Sequence, residues 1–133
     1  MNQPAEEPIT ENVRRFIVDH IQSVESLEIL LLLFGGRAKE FSALDVSRTL
    51  CTSLESAAGQ LQQLHKATLL VPTEAPNPPT YRFNPGSPEA QVVADLEKIY
   101  KTRRVSVISF IYSKPTDPLR AFSDAFKLRK DEP

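Results

Sequence analysis

FSALDVSRTLCTSLESAAGQLQQLHKATLLV (residues 41–71), then a proline-rich gap, then TYRFN (residues 80–84), is the stretch on which the fold turns. Ser42 stands three before Asp45, an imperfect capping box that opens a helix. Ala43, Val46, Ser47 and Leu50 recur at helical spacing and form the inner face of two turns. Cys51-Thr52 makes a tight turn, and Ser53 caps a second helix with Glu55 and Ser56 behind it. That helix is expected to bury Leu54, Ala57, Ala58, Leu61, Leu64 and Thr68. It is expected to expose Glu55, Ser56, Gly59, Gln60, Gln62, Gln63 and Lys66. Residues 69–73 and 80–84, the latter with Tyr81 and Phe83 alternating, read as paired strands. The tip between them, EAPNPP, is too rich in proline to pair.

Upstream, residues 1–9 read as a frayed terminus. From about Thr10 an apolar stripe of Val13, Phe16, Ile17, Ile21 and Val24 marks a helix, with Arg14, Arg15, Asp19 and Gln22 off it and His20 at its border. Ser23 or Ser26 caps the next helix, whose first turn holds Glu25 and Glu28. It runs to Phe34 and stops at Gly35-Gly36, where glycine can take the left-handed cap conformation. Its second half, ILLLLF, is apolar all round, so neighbours in the same chain or a second subunit must cover it on several sides. Residues 37–41 form a short linker able to add one strand to the ribbon.

Downstream, Ser87-Pro88-Glu89 is a strong helix start, with an N-cap, a first-position proline and an acid in the first turn. One long helix over residues 88–113 would span about 39 Å. Its seam of Val93, Leu96, Tyr100 and Val107 to Ile111 is interrupted by Arg103-Arg104, and Ser106, Ser109 and Ser113 place a small face on its last turns. VSVISFIY is also β-branched enough to be a strand. Pro115 ends this segment. Asp117-Pro118 starts a last helix with Leu119, Phe122 and Phe126 on one face and Lys127, Arg129 and Lys130 at its end. The expected organisation is a flexible terminus over 1–9, a core domain over 10–113, and a final helix with a basic tail over 114–133.

Two helices joined by a tight turn and followed by a two-stranded ribbon resemble the helix-turn-helix and wing of bacterial winged-helix transcription factors, the MarR-like superfamily. The resemblance implies a mainly α fold: a winged helix-turn-helix with a small antiparallel β-wing and extra N- and C-terminal helices. It also implies a DNA-binding transcriptional regulator, with the second helix of the pair in the major groove and the wing near the minor groove or backbone. On that footing the DNA-contacting candidates are Arg37, Lys39, Arg48, Ser53, Ser56, Gln60, Gln63, Lys66 and Arg82. Glutamines can read adenine, serines can hold phosphates, and the cations can flank the groove.

The chain departs from the family pattern in two ways. Thr68 stands where glycine usually ends the second helix, and a β-branched residue is poor in a left-handed conformation. Either this helix ends by another geometry or the register shifts by one. Positive charge is also thin, with Glu55 at the start of the reading helix and Glu74 in the wing. Weak binding by a monomer is expected, which a homodimer through helical regions 13–34 and 88–126 would offset by doubling the phosphate contacts. The competing class is a winged-helix protein-interaction adaptor that does not bind DNA, which the polar uncharged reading face and neutral wing favour.

Bulk properties bound these readings. A chain of 133 residues with 41% hydrophobic content suits one domain with a real core. No apolar run approaches the roughly 18 residues a membrane span needs. The N-terminus lacks the basic start and apolar core of a signal peptide, and the single cysteine fits a reducing compartment, so a cytoplasmic location is expected. Residues 1–97 hold seven Lys/Arg against thirteen Asp/Glu, whereas residues 98–133 hold nine against four, so the chain ends basic. Those cations suit solvated helix faces or an anionic partner. A membrane-surface segment is disfavoured by Asp117 and Asp124. With no Gly-rich phosphate loop, Cys/His cluster or HExxH motif, and with only His20 and His65 as histidines, no enzyme, cofactor or metal site is expected.

Overall fold

Helix α2 (Val24–Gly35) is the piece on which the other elements are assembled. The structure, a computed structural model, describes residues 9–36, 39–76 and 78–113. In chain order the elements are α1 (Glu11–His20), α2, β1 (Phe41–Ser42), α3 (Ala43–Leu50), α4 (Leu54–Lys66), β2 (Leu70–Pro76), β3 (Pro79–Phe83), α5 (Ala90–Thr102) and α6 (Arg104–Ser113). This is the expected mainly α winged helix-turn-helix. The expected last helix beyond Pro115 lies outside the described residues.

Thr10 caps α1 through its side-chain oxygen, and Ser23, of the two candidates, caps α2 by accepting from the Ser26 N–H at 3.1 Å. Val24 accordingly opens α2 instead of continuing the α1 stripe. Leu27, Ile29, Leu30, Leu33 and Phe34 of α2 are buried. They pack under α3, α4, β3 and α5, so the chain covers its own all-apolar helix. Each such side chain contributes about 1.5–3 kcal/mol when removed from water. Among the described residues no glycine has positive φ, so α2 does not end on a left-handed glycine. Gly36 is needed for space: a Cβ there would lie 3.3 Å from the Phe41 ring.

The helix-turn-helix pair is fixed at its ends. The Ser42 N–H donates to Asp45 Oδ2 at 2.9 Å and the Asp45 N–H donates to Ser42 Oγ at 3.1 Å, which completes the capping box. Cys51 closes α3 in the left-handed region, with φ 57°, and is exposed. It therefore serves as a turn residue and does not pack in the core. At the end of α4 the Leu69 N–H donates to the Leu64 carbonyl and the Thr68 N–H to the His65 carbonyl, the paired bonds of a Schellman cap. This requires Thr68 itself to be left-handed, with φ 63°. The family register thus holds, and threonine occupies the glycine position under strain. Asn84 secures it: its side-chain amide donates to the Thr68 carbonyl at 2.9 Å and its backbone N–H to the Leu69 carbonyl at 2.9 Å.

The sheet is antiparallel with order β1-β3-β2. Phe41 pairs with Tyr81, and Leu70 with Phe83. The ribbon runs further than expected, since Pro76 pairs with Pro79 after an irregularity beyond Pro72. β2 is an edge strand, where a missing proline N–H is tolerated.

The expected long terminal helix is two helices. The first starts at Ala90, after a turn in which the Ala90 N–H bonds the Ser87 carbonyl, and not at Pro88. It stops at Thr102, and Arg103 (φ −131°, ψ 48°) leaves the helical region before α6 begins. The VSVISFIY segment is helical, not extended. Across this break Glu28 of α2 accepts from the Tyr100 hydroxyl at 2.9 Å and from the Arg104 guanidinium at 3.1 Å. Arg104 also lies 5.0 Å from the centre of the Tyr100 ring.

Two outcomes follow for stability. Thr68→Gly relieves the left-handed strain and raises stability by about 1 kcal/mol, net of the added freedom of the unfolded chain, seen as a higher urea midpoint at unchanged slope. The Tyr100 hydroxyl is pushed above its usual pKa, first by burial and then by the bond to Glu28. Because the folded state holds this proton more tightly, its contribution is whole below about pH 10 and is lost as pH rises through the folded value. Tyr100→Phe costs about 1–2 kcal/mol at neutral pH and flattens the decline of stability above about pH 10, measured by denaturation across that range.

Candidate nucleic-acid interface

The first turn of α4 stands clear of the core, with Ser53, Leu54 and Glu55 all exposed. The helix presents Glu55, Gly59, Gln62, Gln63 and Lys66 outward, while Ala57, Leu61 and Leu64 are buried and Gln60 is half-buried at the flank. Ser53 remains at the surface but commits an oxygen lone pair to the Ser56 N–H, at 3.0 Å.

Ser56, expected to face outward, is turned back onto α2. Its hydroxyl donates to the Glu25 carboxylate, at 2.7 Å to Oε1 and 2.9 Å to Oε2. The Thr52 hydroxyl donates to the same carboxylate. Glu25 thereby anchors both the turn and the first turn of α4. The long sequence separation, from residue 25 to residues 52 and 56, is why no local pattern announced this contact.

The cations are placed in two settings. Lys39 and Arg48 line one shallow depression with Phe41 and Thr49, interleaved with Glu40 and Asp45. Lys39 sits 6.0 Å from the Phe41 ring centre. Arg82 is exposed on β3 between Tyr81 and Phe83, which face the core. Arg37 lies outside the described residues. The structure therefore brings Lys39 and Arg48 together, sets Gln63 and Lys66 on the exposed face of α4, and holds Arg82 on the outer face of the wing.

Sequence reasoning missed an apolar groove of about 410 Å³ between α3, α4 and the wing. Leu44, Leu54, Ala58, Leu61, Pro79 and Tyr81 line it. Leu54, expected in the core, is 53% exposed, and Leu44 is 44% exposed. Ala58 is half-buried, and Thr68, also expected inside, is exposed. The one available signal was the position of Leu54 as the first residue of α4, beyond the reach of the core that holds Ala57 and Leu61. Among the described residues no cluster of His, Cys, Asp or Glu could hold a metal ion.

No family model matches the sequence. No curated protein matches it either. Solved structures do share the fold. MepR, a transcription regulator of the Staphylococcus aureus multidrug efflux pump MepA, superposes with a TM-score of 0.54 at 12% identity, covering 90% of this chain and 84% of that one. BpsR of Bordetella bronchiseptica, whose DNA binding is regulated by 6-hydroxynicotinic acid, superposes with a TM-score of 0.50 at 16% identity, covering 90% and 82%. Both share with this chain its architecture, a mainly helical fold with a small three-stranded antiparallel sheet.

Gly59 lies in the interior of α4, and a Cβ added there meets no atom within 4 Å. An exposed mid-helix glycine stabilises nothing in the free protein. Gly59→Ala accordingly raises stability by about 0.5–1 kcal/mol, measured by thermal or urea denaturation.

Proposed function

We propose that this protein is a DNA-binding transcription regulator of the winged-helix type that acts as a homodimer. The observation that carries the reading is the outward face of α4, with Gln62, Gln63 and Lys66 exposed, flanked by the Lys39–Arg48 pair and by Arg82 on the wing. The fold shared with MepR and BpsR supports it. In this reading α4 enters the major groove, and Lys39 and Arg48 hold the phosphate backbone. Glu40, Asp45 and Glu55 lie among these cations, so one protomer binds weakly. The dimer forms through the terminal helices. On α6, Val105 and Tyr112 are 76% and 78% exposed, while Val107 and Ile111 pack inward, so the helix is apolar on more than its core side.

A second reading is favoured by the apolar groove beside α4 together with those carboxylates: a protein-interaction adaptor on the same fold. Titration of the full chain against duplex DNA at two salt concentrations separates them. The regulator binds at low salt with steep salt dependence, and Lys39→Ala or Arg48→Ala each lowers the log–log slope of the dimer by about two, one phosphate contact per protomer. The pair Val105→Glu and Tyr112→Glu yields a monomer by light scattering and about halves the slope. No binding at the lowest salt rejects the regulator in favour of the adaptor.

A further inference from the structure

We propose that Leu54, backed by Ala58 and Leu44, reads thymine methyl groups in the major groove, so that the target of this protein is specified in part by nonpolar contact. The inference rests on the DNA-binding reading and names what the first turn of α4 recognises.

Four observations bear on it. Of the two hydroxyls expected to meet DNA in that turn, that of Ser56 is spent on Glu25, and Ser53 commits a lone pair to the Ser56 N–H. What the turn offers instead is Leu54, half-exposed at the leading end of α4 and continuous with a groove lined by Ala58 and Leu44. Cations flank this groove among carboxylates: Lys39 and Arg48 share a depression with Glu40 and Asp45, and Lys66 stands further along the outward face of α4. Gly59, beside Ala58, leaves the helix backbone open to close approach. A duplex presents one strongly apolar group in its major groove, the thymine C5-methyl. A leucine that enters the groove at the N-terminal end of a reading helix has that group as its matching partner.

The test removes the methyl and nothing else. The full chain is offered a random duplex pool copied with dTTP and, in parallel, with dUTP, and the sequences bound from the thymine pool are resynthesised in both forms. Thymine recurs at fixed positions, and replacing those thymines by deoxyuridine weakens binding about four-fold for each methyl in contact. Leu54→Ala binds the thymine and uracil forms equally while its salt dependence stays that of the parent protein. The side chain is exposed, so the variant keeps its fold, verified by circular dichroism. Equal binding of both forms by the unaltered protein overturns the inference, leaves the regulator reading standing and assigns the groove to a protein segment. Failure to bind any duplex at low salt removes both.

Discussion

An apolar helix with two carboxylates at its start organises the molecule. From Leu27 onward α2 has too little polar surface to face water, so its burial draws α3, α4, β3 and α5 around it. Glu25 and Glu28, one turn apart, divide the polar work. Glu25 accepts from Thr52 and Ser56 and so sets where the helix-turn-helix bends and how α4 leaves it. Glu28 accepts from Tyr100 and Arg104 and so sets where the terminal helices break. One hydrophobic hub thus positions α4 on one side and α5 and α6 on the other.

The same hub explains why the reading face is unusual. A carboxylate held at the N-terminal end of α4 is favourable for the helix dipole and for the neighbouring hydroxyls. It also adds negative charge at that end of the helix. Glu55 adds to this. At that end Ser53, Leu54, Glu55 and the bare backbone at Gly59 remain exposed. The cations lie to the flanks, at Lys39, Arg48 and Lys66.

Strain is concentrated at the C-terminal ends of α3 and α4. Cys51 and Thr68 both stand in the left-handed region without being glycine. Each is compensated by bonds that only the folded chain supplies. Thr52 donates to the Ser47 carbonyl after Cys51, and Asn84 clasps the strand-side of Thr68. Tertiary bonding here overrides local preference.

Much was legible in the sequence because it depends on neighbours close along the chain. The capping box at Ser42 and Asp45, the cap at Ser53, the buried Val13, Phe16 and Ile17 of α1, the buried Ala57, Leu61 and Leu64 of α4 and the alternation of Tyr81 and Phe83 are local, and each appears in the fold where its spacing places it. The Lys39–Arg48 pairing, the withdrawal of Ser56 and the exposure of Leu54 were not legible, because each is decided by where α2 and β1 sit against the pair. The break at Arg103 was hidden for the same reason: an apolar seam continues across it, and only the pull of Glu28 on Tyr100 and Arg104 shows why the chain turns there. By itself, then, the sequence determined the elements and the winged-helix order, since backbone bonding and amphipathic period act within a few residues. The tertiary structure alone decided which side chains of α4 remain free for a partner, since that depends on carboxylates and apolar surfaces brought from distant parts of the chain.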